Sequence, residues 1–122
     1  RSISKHALIS FKQGANGDED FSAPEHNFSK RVGNQYEVAR IVYELNKLKP
    51  KEVCTSLQSR YWGYDKNAKH KNFDDIYSYY LDAIKNDTNL LLNVGPLPDG
   101  SIHYEDLITL TKLGEKIKNP NR

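Results

Sequence analysis

Asn89-Leu-Leu-Leu-Asn-Val-Gly-Pro-Leu-Pro-Asp-Gly100 decides how the chain reads. Leu90, Leu91, Leu92 and Val94 form a short apolar run without alternation. Such a run predicts a strand covered on both faces, as in a parallel sheet. Gly95, Pro96, Pro98 and Gly100 end it abruptly. A central strand needs the N–H that Pro96 and Pro98 lack, so the chain leaves the sheet by Pro96. Asn93 is a polar residue among apolar ones at the C-terminal end of the strand, the end where parallel α/β folds build their sites. Two readings stand for it: a site residue, or a tie on the following turn.

On either side of this stretch the periodicity changes to that of helices. Phe73, Ile76, Tyr77, Tyr80, Leu81 and Ile84 make a core-facing stripe, so these tyrosines are assigned to packing. Asn72 and Asp75 form its cap. After the strand, Leu107, Leu110, Gly114 and Ile117 line a last helix. Further upstream, Val53 to Leu57 alternates apolar and small residues as a strand, with Glu52 at its start and Gln58 after it. The loop Ser59-Arg-Tyr-Trp-Gly-Tyr-Asp65 is aromatic and carries Arg60. Trp62 and Tyr64 suit either a barrel-mouth plug or the flat C–H face of a sugar. Lys66 to Lys71 is a basic run, read as a wet surface.

The N-terminal half repeats the pattern. His6 to Phe11 reads as a buried strand, followed by a polar loop from Lys12 to Phe21 that is long enough to carry function. Pro24 would hold the Glu25 carboxylate in a defined place, and a surface acid or helix cap is the alternative. His26 is read as a solvated loop residue rather than a hydrogen-bonding group near a site. Val38, Ile41, Val42, Leu45 and Leu48 predict an amphipathic helix from about 34 to 48, ended by Pro50. The order strand, loop, helix, strand, helix, strand, helix is that of consecutive βα units in a right-handed parallel sheet.

Length and composition bound the function. One domain fits into 122 residues, but a complete (β/α)8 barrel takes ~250. The chain begins at Arg1 and holds no methionine, as a processed chain or a piece of a longer one would. A net charge of +2 with mixed signs argues against a dedicated nucleic-acid binder. Cys54 is the only cysteine, so no intrachain disulfide forms, and its apolar neighbours predict a buried thiol. No run reaches the ~20 apolar residues of a membrane span, and no signal peptide is visible. The histidines show no metal-ligand spacing. Asn27-Phe-Ser29 and Asn86-Asp-Thr88 are glycosylation-type triplets, meaningful only in a secreted eukaryotic chain.

Four segments, in order and spacing, resemble the α-L-fucosidases of glycoside hydrolase family 29. They are Ala7-Leu-Ile-Ser-Phe-Lys-Gln-Gly14 with Asp20-Phe-Ser-Ala-Pro-Glu25, Glu52-Val-Cys-Thr-Ser-Leu57 with Trp62-Gly-Tyr64, Asp74-Asp-Ile76 onward, and Asn89-Leu-Leu-Leu-Asn-Val-Gly-Pro96 with Asp99-Gly100. Together they cover nearly the whole chain. The resemblance implies an α/β fold: the C-terminal three βα units of a (β/α)8 TIM-type barrel, incomplete in residues 1–122. It implies a retaining glycoside hydrolase that releases L-fucose from fucosylated oligosaccharides or glycoconjugates. No metal or organic cofactor is implied. A secreted, periplasmic or lysosomal setting is implied for the parent.

Retaining hydrolysis needs two carboxyl groups roughly 5 Å apart, a nucleophile and a general acid/base. In the family the nucleophile resembles an aspartate after a tryptophan on an earlier strand, and no matching segment is present here. Glu52 and Glu25 match candidate acid/base positions, with Glu52 ranked first. One objection to Glu52 is its place at the beginning of its strand, because catalytic groups belong at the other end. The resemblance also assigns Arg60, Trp62, Tyr64 and Asn93 to the sugar, and Leu90 to the apolar wall that the fucose methyl needs. The partner it implies is the remaining barrel segment, on this polypeptide or another chain. The alternative is a non-catalytic carbohydrate-binding or association module derived from such a barrel.

Overall fold

A computed structural model describes residues 4–10, 19–23, 25 and 45–120. Four elements follow one another: β1 (Lys51–Ser56), α1 (Phe73–Lys85), β2 (Thr88–Asn93) and α2 (Tyr104–Lys118). β1 and β2 are hydrogen-bonded neighbours in a parallel two-stranded sheet. The chain divides into two compact units, Arg1–Cys54 with Ala83–Leu91 and Thr55–Asp82 with Leu92–Arg122.

In the first unit, Ser22 and Glu25 form parallel bridges to β1. Ser22 pairs with Lys51, through hydrogen bonds from Ser22 N to Pro50 O (3.0 Å) and Glu52 N to Ser22 O (2.8 Å), and Glu25 pairs with Cys54. This corrects the expected first strand. Residues 6–10 form no strand and Leu8 is 75% exposed, while Phe11 lies outside the described residues. Ile9 is instead clasped by Asp20: its N–H donates to Oδ2 (2.8 Å) and its carbonyl accepts from Asp20 N (2.8 Å). An apolar run announces burial without naming the neighbour, and here the neighbour of β1 is the run after the polar loop.

The predicted helix over 34–48 falls mostly outside the described residues. Leu45 and Asn46 are helical, and Lys47 and Leu48 form a turn. Leu48 points into solvent at 94% exposure, so it is not on a buried stripe. Lys49 Nζ lies 3.7 Å from Glu19 Oε2, closing the same unit.

The core of the second unit is Leu57, Ile76 and Leu113, flanked by Phe73, Tyr77, Tyr80, Leu92, Val94 and Leu110. Asn72 and Asp75 cap α1 reciprocally: Asp75 N donates to Asn72 Oδ1 (2.9 Å) and Asn72 N to Asp75 Oδ2 (3.4 Å). The tyrosines do pack, but Leu81 and Ile84 are exposed and the small Ala83 takes the buried position instead. In α2 Leu110 packs against the core as expected, but the fully buried stripe is rotated by one residue. Asp106, Thr109 and Leu113 are buried, whereas Leu107 and Ile117 are exposed. β2 also departs from expectation: its burial alternates, with Leu91 45% exposed, where cover on both faces was expected. Cys54 is buried, as expected. Beyond β2, Gly100 adopts φ +83° and closes a turn in which Gly100 N reaches Leu97 O at 2.8 Å. No described helix is long and apolar enough to cross a membrane.

Candidate functional site

The loop that leaves β1 is built on Gln58, which is 2% exposed. A buried amide has to find partners for both its ends. Gln58 Nε2 donates to Gly63 O (2.8 Å) and its Oε1 accepts from Asp65 N (3.0 Å), so one side chain holds the middle of the loop. At the loop's base Gln58 pairs antiparallel with His70, and Ser59 N donates to Lys69 O at 2.8 Å. Asn93 reaches the same loop from the end of β2. Its Nδ2 donates to Trp62 O (2.7 Å) and lies 3.3 Å from Ser56 Oγ. Asn93 therefore ties the neighbouring loop, the loop that carries Trp62.

Gly95 completes the seat. A Cβ there would lie 2.3 Å from Gln58 Nε2, 2.7 Å from Tyr64 N and 2.8 Å from Gly63 C, so only glycine lets the loop lie against β2's exit. Trp62 is half-buried and Tyr64 exposed. Arg60 is exposed, with its guanidinium 5.5 Å from the centre of the Tyr61 ring. Tyr61 has φ +57°, an uncommon backbone for a bulky residue, held between these anchors.

A second polar cluster closes the loop. His70 Nδ1 and Asp106 Oδ1 are 2.7 Å apart, with side chains 7% and 0% exposed. A carboxylate can only accept, so the geometry suits an Nδ1–H donor on His70. Asp106 Oδ2 is buried without a hydrogen bond. The His103 ring stacks on His70 at 4.0 Å and 11°, and its Nδ1 caps α2 by accepting from Glu105 N at 3.4 Å. Lys71 Nζ donates to the carbonyls of Ser56 (2.5 Å) and Gln58 (3.0 Å). Burial pushes its pKa below the ordinary 10.5, with Asp75 and Asp106 pulling the other way. The expected wet surface over Lys66 to Lys71 thus ends in two engaged residues.

The candidate residues divide between the units. Arg60, Trp62, Tyr64 and Asn93 lie in the second. Glu25, Glu52 and Leu90 lie in the first. Glu52 is half-buried, second in β1, and its Oε2 accepts from Asn89 Nδ2 at 2.8 Å. Glu25 is half-buried opposite Cys54, further along β1. Leu90 is half-buried in β2. His26 lies outside the described residues. No group of three or more His, Cys, Asp or Glu side chains among the described residues could hold a metal ion.

Sequence reasoning missed Gln58, Gly95, His70, Lys71 and Asp106. A polar residue ending a buried strand was a usable signal for Gln58. Nothing local could pair His70 with a residue 36 positions away.

The family model described as alpha-L-fucosidase matches residues 7–121. The chain belongs to the alpha-L-fucosidase family. Solved fucosidases share its fold. Alpha-L-fucosidase isoenzyme 1 from Paenibacillus thiaminolyticus is 27% identical with a TM-score of 0.64, over 82% of this chain and 22% of that one. The fucosidase AlfC from Lactobacillus casei, in complex with its α-L-fucose product, is 23% identical with a TM-score of 0.65, over 98% and 34%. A fucosidase from Bacteroides thetaiotaomicron, trapped as a covalent intermediate with 2-fluoro-fucosyl fluoride, is 19% identical with a TM-score of 0.62, over 82% and 22%. This fucosidase-family chain therefore spans 22–34% of these solved relatives' length. Among curated proteins, none matches it.

Proposed function

We propose that these residues are the C-terminal three βα units of a (β/α)8 barrel whose complete form is a retaining α-L-fucosidase acting on fucosylated glycans. The family match over residues 7–121 carries this reading. The covalent intermediate trapped in the Bacteroides relative supports retention. The loop bearing Arg60, Trp62 and Tyr64, seated by Gln58 and Asn93, forms part of the sugar pocket, with Leu90 toward the fucose methyl. The nucleophilic aspartate belongs to the remaining barrel segment.

For the general acid/base we place Glu25 ahead of Glu52. Glu52 sits at the beginning of β1, bonded to Asn89, and barrel chemistry belongs at the C-terminal ends of strands. Glu25 pairs two residues further along β1, opposite Cys54.

The complete enzyme should hydrolyse an aryl α-L-fucoside with retained anomeric configuration by NMR. Glu25→Ala should spare substrates with acidic phenol leaving groups, fail on poor ones, and be rescued by azide. Glu52→Ala should slow all substrates alike while lowering the melting temperature. If the two variants behave the other way round, Glu52 is the acid/base. No fucoside hydrolysis at all would leave the chain as a non-catalytic carbohydrate-binding or association module.

A further inference from the structure

We propose that His70 and Asp106 are a positioning pair that fixes the sugar-contacting loop over residues 59–69, a role that rests on the fucosidase reading of that loop. The loop has two ends. Its first continues directly from β1 at Gln58. Its second is His70, whose side chain bonds the first turn of α2, beside Lys71, whose Nζ reaches Ser56 O and whose carbonyl accepts from Thr109 Oγ1; among these, the His70 bond to Asp106 is the buried side-chain pair.

The bond is costly as a stabiliser. A buried ion pair seldom beats apolar packing of the same volume, and here Asp106 Oδ2 is left without a hydrogen bond. What it offers instead is direction. The Nδ1–H must point at Oδ1, and the His103 ring, stacked at 4.0 Å, fixes the imidazole plane. The position of Asp106 in the first turn of α2, at the positive end of the helix dipole, suits a carboxylate.

Gln58 then transmits the anchor. By holding Gly63 O and Asp65 N it makes the middle of the loop one body, with Trp62 further held by Asn93. A shift at His70 therefore moves the segment that carries Arg60, Trp62 and Tyr64. Contacts that hold the sugar equally in ground and transition states act on KM and leave kcat alone.

The test uses the complete enzyme and three variants. The double variant His70→Phe with Asp106→Leu removes both polar groups and keeps their volume, so stability should hold. His70→Asn keeps an N–H donor near the place of Nδ1 but loses the ring. His70→Phe alone keeps the ring stacked on His103 without the donor. The double variant and His70→Phe should raise KM for an aryl α-L-fucoside about tenfold, the scale of one lost charged hydrogen bond, with kcat within about twofold. Trypsin should cut both faster after Arg60. His70→Asn should restore both readouts. An unchanged KM and unchanged Arg60 cleavage in a double variant that melts like the wild type would overturn the proposal. If the wild type hydrolyses no fucoside, the functional reading fails, and Arg60 cleavage still decides whether the pair anchors the loop.

Discussion

Gly95 shows how much one hydrogen atom can matter. A methyl there would press on two backbone atoms, Tyr64 N and Gly63 C, as well as on Gln58 Nε2. Backbone cannot swing aside as a side chain can. Gly95→Ala should therefore push the loop off Gln58 and cost about 2–3 kcal/mol in urea denaturation. Gly63→Ala, whose Cβ would meet nothing within 4 Å, is the control and should stay within about 0.5 kcal/mol. The sequence displayed Gly95 only as a strand stop beside Pro96. That it is also the seat of another loop depends on a partner more than thirty positions away, which no local pattern contains.

At the scale of elements, the apolar rhythm located both named strands within about a residue and both described helices. It placed α2's buried stripe one residue off. The reason is chemical: Asp106 and Thr109 take core positions because they have partners there, Asp106 at His70 and Thr109 Oγ1 at Lys71 O (3.3 Å). A hydrophobic pattern counts such residues as solvent-facing. Leu113, 6% exposed against Leu57 and Ile76, is the apolar member of the true stripe. Leu113→Ala should cost about 2–4 kcal/mol, and Leu107→Ala markedly less, in paired denaturation curves. Equal costs would restore the stripe that the sequence predicted.

For the whole molecule, two paired strands leave apolar side chains such as Leu91, Ile84 and Ile108 in water. Among the described residues, β2 has no strand on its far edge. A two-stranded sheet is marginal without further cover. The 122-residue chain alone should therefore self-associate in sedimentation experiments and turn over no aryl fucoside. A monodisperse monomer with a cooperative melt, or robust hydrolysis by the purified chain, would refute this. The family was legible from four spaced segments, since a resemblance sums weak local matches. The strand count was less legible, because Ala7-Leu-Ile9 and Phe21-Ser-Ala23 compete for one place beside β1, and only pairing decides between them.

The anchors of the aromatic loop also imply an order of folding. Gln58 reaches its two partners over five and seven residues, so that closure costs little chain entropy and can form early. Asn93 must find Trp62 across 31 residues and His70 must find Asp106 across 36, so both wait for β2 and α2 to arrive. The loop would thus exist as a preformed turn before the scaffold that orients it, and a slow-exchanging amide should appear at Asp65 ahead of those in α2.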